Sequence, residues 1–333
     1  MKRVAGLFVR ATFVGLAIIM LSAFAAFLYF DYVRNTDGPN TKDAYFYVHP
    51  GAQPSELAIS LEKGGYISDS QHYIWMHYWQ RLSFTDEYLP KVGEYKIPAK
   101  ASLNSIRDIF HMGKAIQRRL TFPEGLTTAA ILSIIDNATG LLGNVPEGIE
   151  EGSLFPDTYF YIYGMQKTEL VARMQAKMEL ELAEAWALRA DSLPYKLPVE
   201  AHIMASIIEK ETGRSGERAL VASVFVNRLK RNMRLQSDPT VIYGVGATDK
   251  VNYEITKADL KANNPFNTYR IKGLPPTPIA SPGRAALDAA LNPKTSDYLY
   301  FVADGEGGHF FAKTLDEHNK NVRKYRARNS KAN

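Results

Sequence analysis

The chain has 333 residues, with 40 Lys and Arg, 35 Asp and Glu, and a formal net charge of +5. Lys2, Arg3 and Arg10 supply three of these charges, so the remainder carries only +2. This balance argues against the strongly basic surface of nucleic-acid-binding proteins, and we expect no nucleic-acid partner. The sequence contains no cysteine, which excludes disulfide bonds and Cys-ligated metals.

An apolar segment covers residues 11–30 and is interrupted only by Thr12 and Ser22. About 20 apolar residues suffice to cross a bilayer as a helix. Because the three basic residues precede this segment, we predict that residues 1–34 form a cytoplasmic stub and a single transmembrane anchor, with the rest of the chain exported. A cleaved signal peptide ending at Ala23-Phe24-Ala25 remains the alternative. The apolar run continues beyond that point, which favours the anchor.

Short strand, turn and helix patterns repeat between residues 44 and 122 and predict a small α+β domain. In the first pattern a strand over 46–48 leads through Pro50-Gly51 to a helix. In the second, Gly93–Ile97 is followed by Ser102 as a helix cap and Gly113 as a terminator. A third begins at residue 117 and continues into a helix over 127–135.

The remaining part, residues 123–329, reads as a larger, mostly helical domain with a small sheet, so the overall fold class is α+β. Periodicity predicts helices over 168–190, 201–213 and 216–232, the last with Arg218, Arg228 and Lys230 facing outward. Asp238 is expected to cap a short helix before Pro239. Further on we expect a strand over 267–271, a helix from Ser281-Pro282, a hairpin of 298–302 with 309–311, and a final helix at the capping box Thr314-Leu-Asp-Glu317.

The helix over 201–213 carries an acidic residue on its own apolar face. Glu211 is the i+4 neighbour of Ile207 and the i+3 neighbour of Ile208, whereas Glu209 points almost the opposite way. A carboxyl group among apolar side chains loses hydration, so its pKa rises towards the range in which a general acid works. The alternative is that Glu211 reaches water or pairs with Arg214 or Arg218.

Other chemistries receive little support. The seven histidines show no tight ligand spacing, Gly213-Arg-Ser-Gly216 lacks the nucleophile-elbow form, and Asp304-Gly-Glu-Gly-Gly308 reads as a hairpin turn. We therefore expect neither a metal nor a cofactor.

An envelope anchor together with a Glu acid suggests a glycan substrate. Candidate contacts able to hydrogen-bond or stack on sugar rings, each of which is alternatively a cap, a core aromatic or a turn residue, are Gln236, Asp238, Tyr243, Asn267, Tyr269, His309 and Phe311.

Several long, ordered segments resemble the bacterial endolytic murein transglycosylases, the MltG or YceG-like family. They are Glu151-Gly-Ser-Leu-Phe-Pro-Asp-Thr-Tyr159, Ala205-Ser-Ile-Ile-Glu-Lys-Glu-Thr212, Val221-Ala-Ser-Val-Phe-Val-Asn-Arg-Leu229, Arg234-Leu-Gln-Ser-Asp-Pro-Thr-Val-Ile-Tyr-Gly244, Asn267-Thr-Tyr269, Gly273-Leu-Pro-Pro276 and Tyr298-Leu-Tyr-Phe-Val-Ala-Asp-Gly305. The resemblance extends to the N-terminal anchor and to the strand–turn–helix patterns, which are LysM-like in that family.

The resemblance implies that the chain cleaves the MurNAc-β-1,4-GlcNAc bond within peptidoglycan strands and leaves 1,6-anhydro ends. The family's catalytic glutamate is the second Glu of Glu-Lys-Glu, which falls on Glu211. Implied partners are glycan strands, the cytoplasmic membrane and peptidoglycan synthases, with the catalytic part in the periplasm and strand termination as its role. A purely glycan-binding scaffold remains the non-enzymatic alternative.

Overall fold

A computed structural model describes residues 2–82, 90–248, 250 and 253–332. The chain divides into two compact units. One comprises Met1–Arg118 with Tyr161–Gly164, and the other comprises Arg119–Phe160 with Met165–Asn333. The chain therefore leaves the first unit within one strand, returns briefly within another, and then stays in the second unit.

The first unit begins with helix α1, Lys2–Asn35. Its part Arg10–Asn35 is long and apolar enough to cross a membrane, by length and composition. The side chains along this stretch are mostly exposed.

The rest of the first unit follows the order β1 (Ala44–Val48), α2 (Pro54–Lys63), α3 (Ser70–Leu82), β2 (Gly93–Ile97) and α4 (Leu103–Met112). Strands β1 and β2 are antiparallel and pair Phe46 with Tyr95. As predicted, Ser102 caps α4 by accepting the N–H of Ser105, and Gly113 ends it in the left-handed region. Helix α3 was not foreseen from the sequence, and it packs Tyr73 and Met76 into the core of this unit.

Strands β3 (Gln117–Thr121) and β4 (Thr158–Ile162) pair with each other and carry the chain between the units. The second unit also contains α5 (Thr128–Asp136), α6 (Lys167–Ala187), α7 (Pro198–Glu211), α8 (Arg218–Lys230), α9 (Asp238–Gly244), α10 (Lys257–Lys261), α11 (Arg284–Leu291), β5 (Tyr300–Ala303), β6 (His309–Ala312) and α12 (Leu315–Ala332). Helix α7 is central and packs on α6, α8, α9 and α11. The mixture of helices and two-stranded sheets confirms the α+β class.

The hairpin and the last helix agree with the sequence expectations. Strands β5 and β6 are antiparallel and pair Phe301 with Phe311. At the start of α12, Glu317 accepts the N–H of Thr314 and donates its own N–H to the Thr314 hydroxyl, as in a capping box.

Two local predictions were wrong. The cap of α9 is Ser237, and Asp238 is already the first residue of the helix. Residues 267–271 form turns rather than a strand, because the amides of Arg270 and Ile271 both donate to the Asn267 carbonyl. The Asn267 side chain reinforces this turn by accepting the N–H of Tyr269 at 3.0 Å. These local bonds outweigh the strand propensity of the segment.

We expect Asn267→Ala to lower the free energy of unfolding by about 1–3 kcal/mol. The buried Asn267 amide donates to the carbonyls of Asp259, Leu260 and Ala262, at 3.1, 3.2 and 2.9 Å, and the substitution would leave these acceptors without that donor. Urea unfolding followed by tryptophan fluorescence measures the change. The control is Asn263→Ala, at an exposed position nearby. Equal effects of the two substitutions would contradict the role given to the Asn267 side chain.

Candidate active site

Helix α7 ends at Glu211, and the segment before its last turn is buried. Pro198 occupies its first turn, and the Glu200 carboxylate accepts the N–H of Leu197 at 2.9 Å. All eight residues from 201 to 208 are buried, so the helix is surrounded on every side rather than along the single predicted stripe. This packing fixes the position of its C-terminal turn, which carries Glu209 and Glu211.

The Glu211 carboxyl group receives a hydrogen bond from Ser237, whose hydroxyl lies 2.5 Å from Oε1. Burial raises the pKa of Glu211 to about 7, while the Ser237 bond lowers it, the Asp238 charge raises it and the Arg228 charge lowers it. Loss of hydration is therefore the main cause. At neutral pH the group has both its protonated and its ionised form available, which general acid and base catalysis requires.

Glu209, two residues earlier, has a different environment. Arg218 contacts its Oε1 at 3.1 Å, and the backbone N–H of Gly283 donates to its Oε2 at 2.9 Å. Its side chain is only 4% exposed, so the face opposite the predicted apolar stripe is buried as well. Arg214 contacts the Glu306 carbonyl instead. The two arginines considered as partners of Glu211 are therefore engaged elsewhere.

The Ser237 hydroxyl is held in place by its own backbone. Its amide donates to the Thr268 hydroxyl at 2.9 Å, and its carbonyl accepts the Thr240 hydroxyl at 2.7 Å. The preceding residue, Gln236, has a φ of 52°, in the left-handed region that a residue with a side chain rarely adopts. Such strain persists only where surrounding contacts impose it. Here it turns the chain so that buried Ser237 faces Glu211.

The side chain of Arg228, on α8, contacts the segment that precedes Ser237. The prediction that Arg228 faces outward was wrong. The side chain is buried, donating from Nε to the Leu299 carbonyl at 2.6 Å and from a terminal nitrogen to the Leu235 carbonyl, also at 2.6 Å. The same nitrogen reaches Oε1 of Gln236 at 3.4 Å. Arg228 thus joins the chain before Ser237 to the start of β5.

Three of the candidate substrate contacts lie beside this carboxyl group or its supports. Gln236 and Asp238 are exposed and flank buried Ser237. The Tyr269 hydroxyl donates to Asp238 at 2.7 Å, and burial raises the Tyr269 pKa, so the phenol stays protonated. These three side chains therefore carry polar groups that can hydrogen-bond a sugar.

The other four candidates have different surroundings. Tyr243 donates to Glu151 at 3.3 Å, and burial raises its pKa to about 12. His309 lies 2.8 Å from the Glu217 carboxylate, and Phe311 of the same strand lies near the His309 ring. Asn267 is buried, with its amide used by backbone groups. The structure thus places Asp238 and Tyr269 close enough to Glu211 for their charges to interact, places Gln236 beside Arg228, and describes Tyr243, His309 and Phe311 in other clusters.

Sequence reasoning missed Ser237 and Arg228. A signal for Arg228 exists, because it is the i+4 neighbour of Val224 and the i+3 neighbour of Phe225, both buried. The spacing argument that selects Glu211 therefore also selects Arg228. Ser237 offered no comparable signal, since its position depends on contacts across 26 residues of sequence.

The sequence profile of the YceG-like family matches residues 46–324. A stretch of 177 residues is 41% identical to an endolytic murein transglycosylase of Bacillus subtilis, covering 53% of this chain and 48% of that protein. An endolytic murein transglycosylase of Streptococcus pneumoniae is 27% identical over 365 residues, covering 95% of this chain and 64% of that protein. This chain thus spans between about half and just under two thirds of these curated relatives.

The fold is also similar to that of a solved structure. A crystal structure of a putative YceG-like protein from Listeria monocytogenes superposes with a TM-score of 0.50 at 29% sequence identity. The match covers 84% of this chain and 99% of that chain.

We expect Ser237→Ala to raise the pKa of Glu211 above 7. In the wild type the Ser237 hydroxyl stabilises the ionised carboxylate, and the substitution removes this hydrogen bond. Carbon NMR of protein labelled in the Glu side-chain carboxyl would follow the titration. Ser215→Ala, at an exposed position after α7, should leave the midpoint unchanged. An unchanged or lower midpoint in Ser237→Ala would contradict the role assigned to the Ser237 hydroxyl.

Proposed function

The chain belongs to the YceG-like family, and from this premise we propose that it is an endolytic lytic transglycosylase of peptidoglycan. The observation that carries the proposal is the dehydrated carboxyl group of Glu211, with a pKa raised to about 7. The naming of two relatives as endolytic murein transglycosylases supports the same activity. The substrate is the MurNAc-β-1,4-GlcNAc bond within a glycan strand.

In the proposed reaction Glu211 is first the general acid. Its proton passes to the glycosidic oxygen as the bond between that oxygen and C1 of MurNAc breaks, and a free GlcNAc hydroxyl forms. The resulting carboxylate then removes the proton from the C6 hydroxyl of the same MurNAc. That oxygen bonds to C1 and closes the 1,6-anhydro ring, so Glu211 is reprotonated and no water is consumed.

The raised pKa suits both steps. A carboxylic acid with its ordinary pKa would be almost fully ionised at neutral pH and would have no proton to give. One near 7 is a usable acid and a usable base. The Ser237 hydroxyl holds one carboxyl oxygen, which leaves the other to face the substrate.

We propose that Gln236, Asp238 and Tyr269 hydrogen-bond the sugars on either side of the scissile bond. Tyr243, His309 and Phe311 are proposed as more distant contacts that stack on or bond to the strand. Asn267 is the exception, because its buried amide is engaged by backbone groups. For Asn267 we propose a positioning role, in which it holds the turn that carries Tyr269.

The remaining expectations concern where the protein works. We propose that α1 anchors it in the inner membrane with the catalytic part in the periplasm, where it terminates nascent strands beside peptidoglycan synthases. The boundaries proposed are an anchor over 1–34, a LysM-like domain over 44–122 that binds glycan, and a catalytic domain over 123–329.

A scaffold without activity is the competing function. A binder gains nothing from a dehydrated carboxyl group, since burial of an ionisable side chain costs stability. The environment of Glu211 therefore favours the enzyme.

We expect Glu211→Gln to lower the rate of strand cleavage by about a hundredfold or more, because the amide keeps the size but cannot transfer a proton. Glu209→Gln is the matched control on the same turn. It weakens the pair with Arg218 and should lower stability while leaving cleavage nearly intact. The assay is chromatography of muropeptides released from purified glycan strands by full-length protein in detergent.

If Glu209→Gln abolished cleavage in folded protein while Glu211→Gln did not, the assignment of the acid would be wrong. If neither wild type nor variants cleaved strands that they bind, the scaffold function would replace the enzyme.

For the anchor, we expect a reporter fused after Asn333 that is active only outside the cytoplasm to be active and to stay in the membrane fraction. The basic residues before α1 retain the N-terminus inside. Fractionation and N-terminal sequencing check this. A soluble fusion beginning near Ala26 would establish cleavage of a signal peptide instead.

A further inference from the structure

Helix α3 presents an aromatic face to the outside of the first unit. Trp75, Tyr78 and Trp79 follow helical spacing on one side and are 54, 56 and 51% exposed, while Tyr73 and Met76 on the other side are buried in the core. The α3 sequence contains no Asp, Glu or Lys. The outer face of a helix on a water-soluble domain is normally charged, so this face is suited to a partly apolar surrounding.

This aromatic face lies against the end of the membrane helix. The Tyr29 and His72 rings are 6.1 Å apart, and the Phe30 and Trp79 rings are 6.3 Å apart. An apolar groove between the two helices is lined by Phe27 and its neighbours on α1 and by Trp75 and Trp79 on α3. The apolar surface of α1 therefore continues onto α3 through this groove.

The level of this contact along α1 can be compared with a bilayer. Counted from residue 11, just after Arg10, about 20 residues at 1.5 Å each span the roughly 30 Å of hydrocarbon. That length ends near Phe30, the residue that touches Trp79. Tryptophan and tyrosine are enriched where hydrocarbon meets the lipid headgroups. The α3 face is therefore placed at the depth its side chains prefer.

We propose that Trp75, Tyr78 and Trp79 of α3 insert into the interfacial layer of the membrane that α1 spans, so that lipid at the headgroup boundary is the partner of this face. Two elements, one spanning and one interfacial, then hold the first unit against the membrane surface. The inference rests on the proposed anchoring by α1. Continuity with the surface of α1 favours lipid over a second copy or another membrane helix.

The test uses intrinsic fluorescence, because the chain has only three tryptophans. With excitation selective for tryptophan, Trp75 and Trp79 are the only residues of Trp186→Phe that emit. Full-length Trp186→Phe is reconstituted in phosphatidylcholine–phosphatidylglycerol liposomes whose lipids carry bromine either near the headgroup or near the chain end. We expect shallow bromine to reduce emission about twofold, deep bromine to reduce it less, and aqueous iodide to have little effect.

Flotation with the liposomes and resistance to alkaline extraction report on α1 separately, and a circular dichroism spectrum equal to that of the wild type confirms that the variant is folded. If the protein floats but emission is quenched by iodide and not by bromine, the face is in water and the inference is overturned. If neither quencher acts, a protein surface covers the face, which also overturns it. If the protein does not float, the anchor fails together with this inference, whereas the activity of Glu211 is judged by cleavage alone.

Discussion

A carboxyl group at the end of a helix buried on every side is the constraint around which the second unit is organised. Eight consecutive residues of α7 are packed before the chain reaches Glu209 and Glu211, so the positions of these two carboxyl groups are fixed by the packing of the helix. The protein treats them differently. Glu209 receives Arg218 and a backbone N–H, whereas the Oε1 atom of Glu211 receives a neutral hydroxyl from Ser237. Burial raises the pKa of both carboxyl groups. At Glu209 the Gly283 N–H and the Arg218 charge oppose the rise, whereas at Glu211 dehydration dominates and raises the pKa to about 7.

The positions of the surrounding loops follow from the need to satisfy buried polar groups. Arg228 carries a charge into the interior, and its guanidinium donates hydrogen bonds to the Leu299 and Leu235 carbonyls. A buried guanidinium without acceptors would cost several kcal/mol, so these loops cannot move away independently. Asn267 likewise holds a neighbouring segment, because its neutral amide donates to the Ala262 carbonyl. In a sheet, backbone N–H groups would donate to such carbonyls. Here the side chains of Arg228 and Asn267 donate to them instead.

Local rules anticipated those parts of the fold that depend on a few adjacent residues. The cap at Ser102, the terminator at Gly113 and the box at Thr314 are short-range hydrogen-bond patterns, and the structure contains each of them. Periodicity also placed Glu211 among apolar neighbours. The same rule was not applied to Arg228, whose charge suggested solvent although its spacing put it on the buried stripe.

The errors arose where contacts between distant segments decide. The turn at Asn267 depends on carbonyls of a preceding segment, and the Ser237 hydroxyl finds Glu211 only after the chain folds. Helix α3 was overlooked because its aromatic residues do not form the usual alternation of one apolar and one charged face. Periodicity predicts which face of a helix is buried, but it does not identify the residue of another segment that contacts that face.

The central claim is that Glu211 transfers protons within the substrate and activates no water. The decisive measurement is mass spectrometry of the fragments formed when full-length protein digests glycan strands in water enriched in heavy oxygen. The account predicts 1,6-anhydro ends that are one water lighter than reducing ends and contain no heavy oxygen. Reducing ends with heavy oxygen at C1 would contradict it, and would instead indicate a hydrolase in which a second carboxylate such as Asp238 activates water.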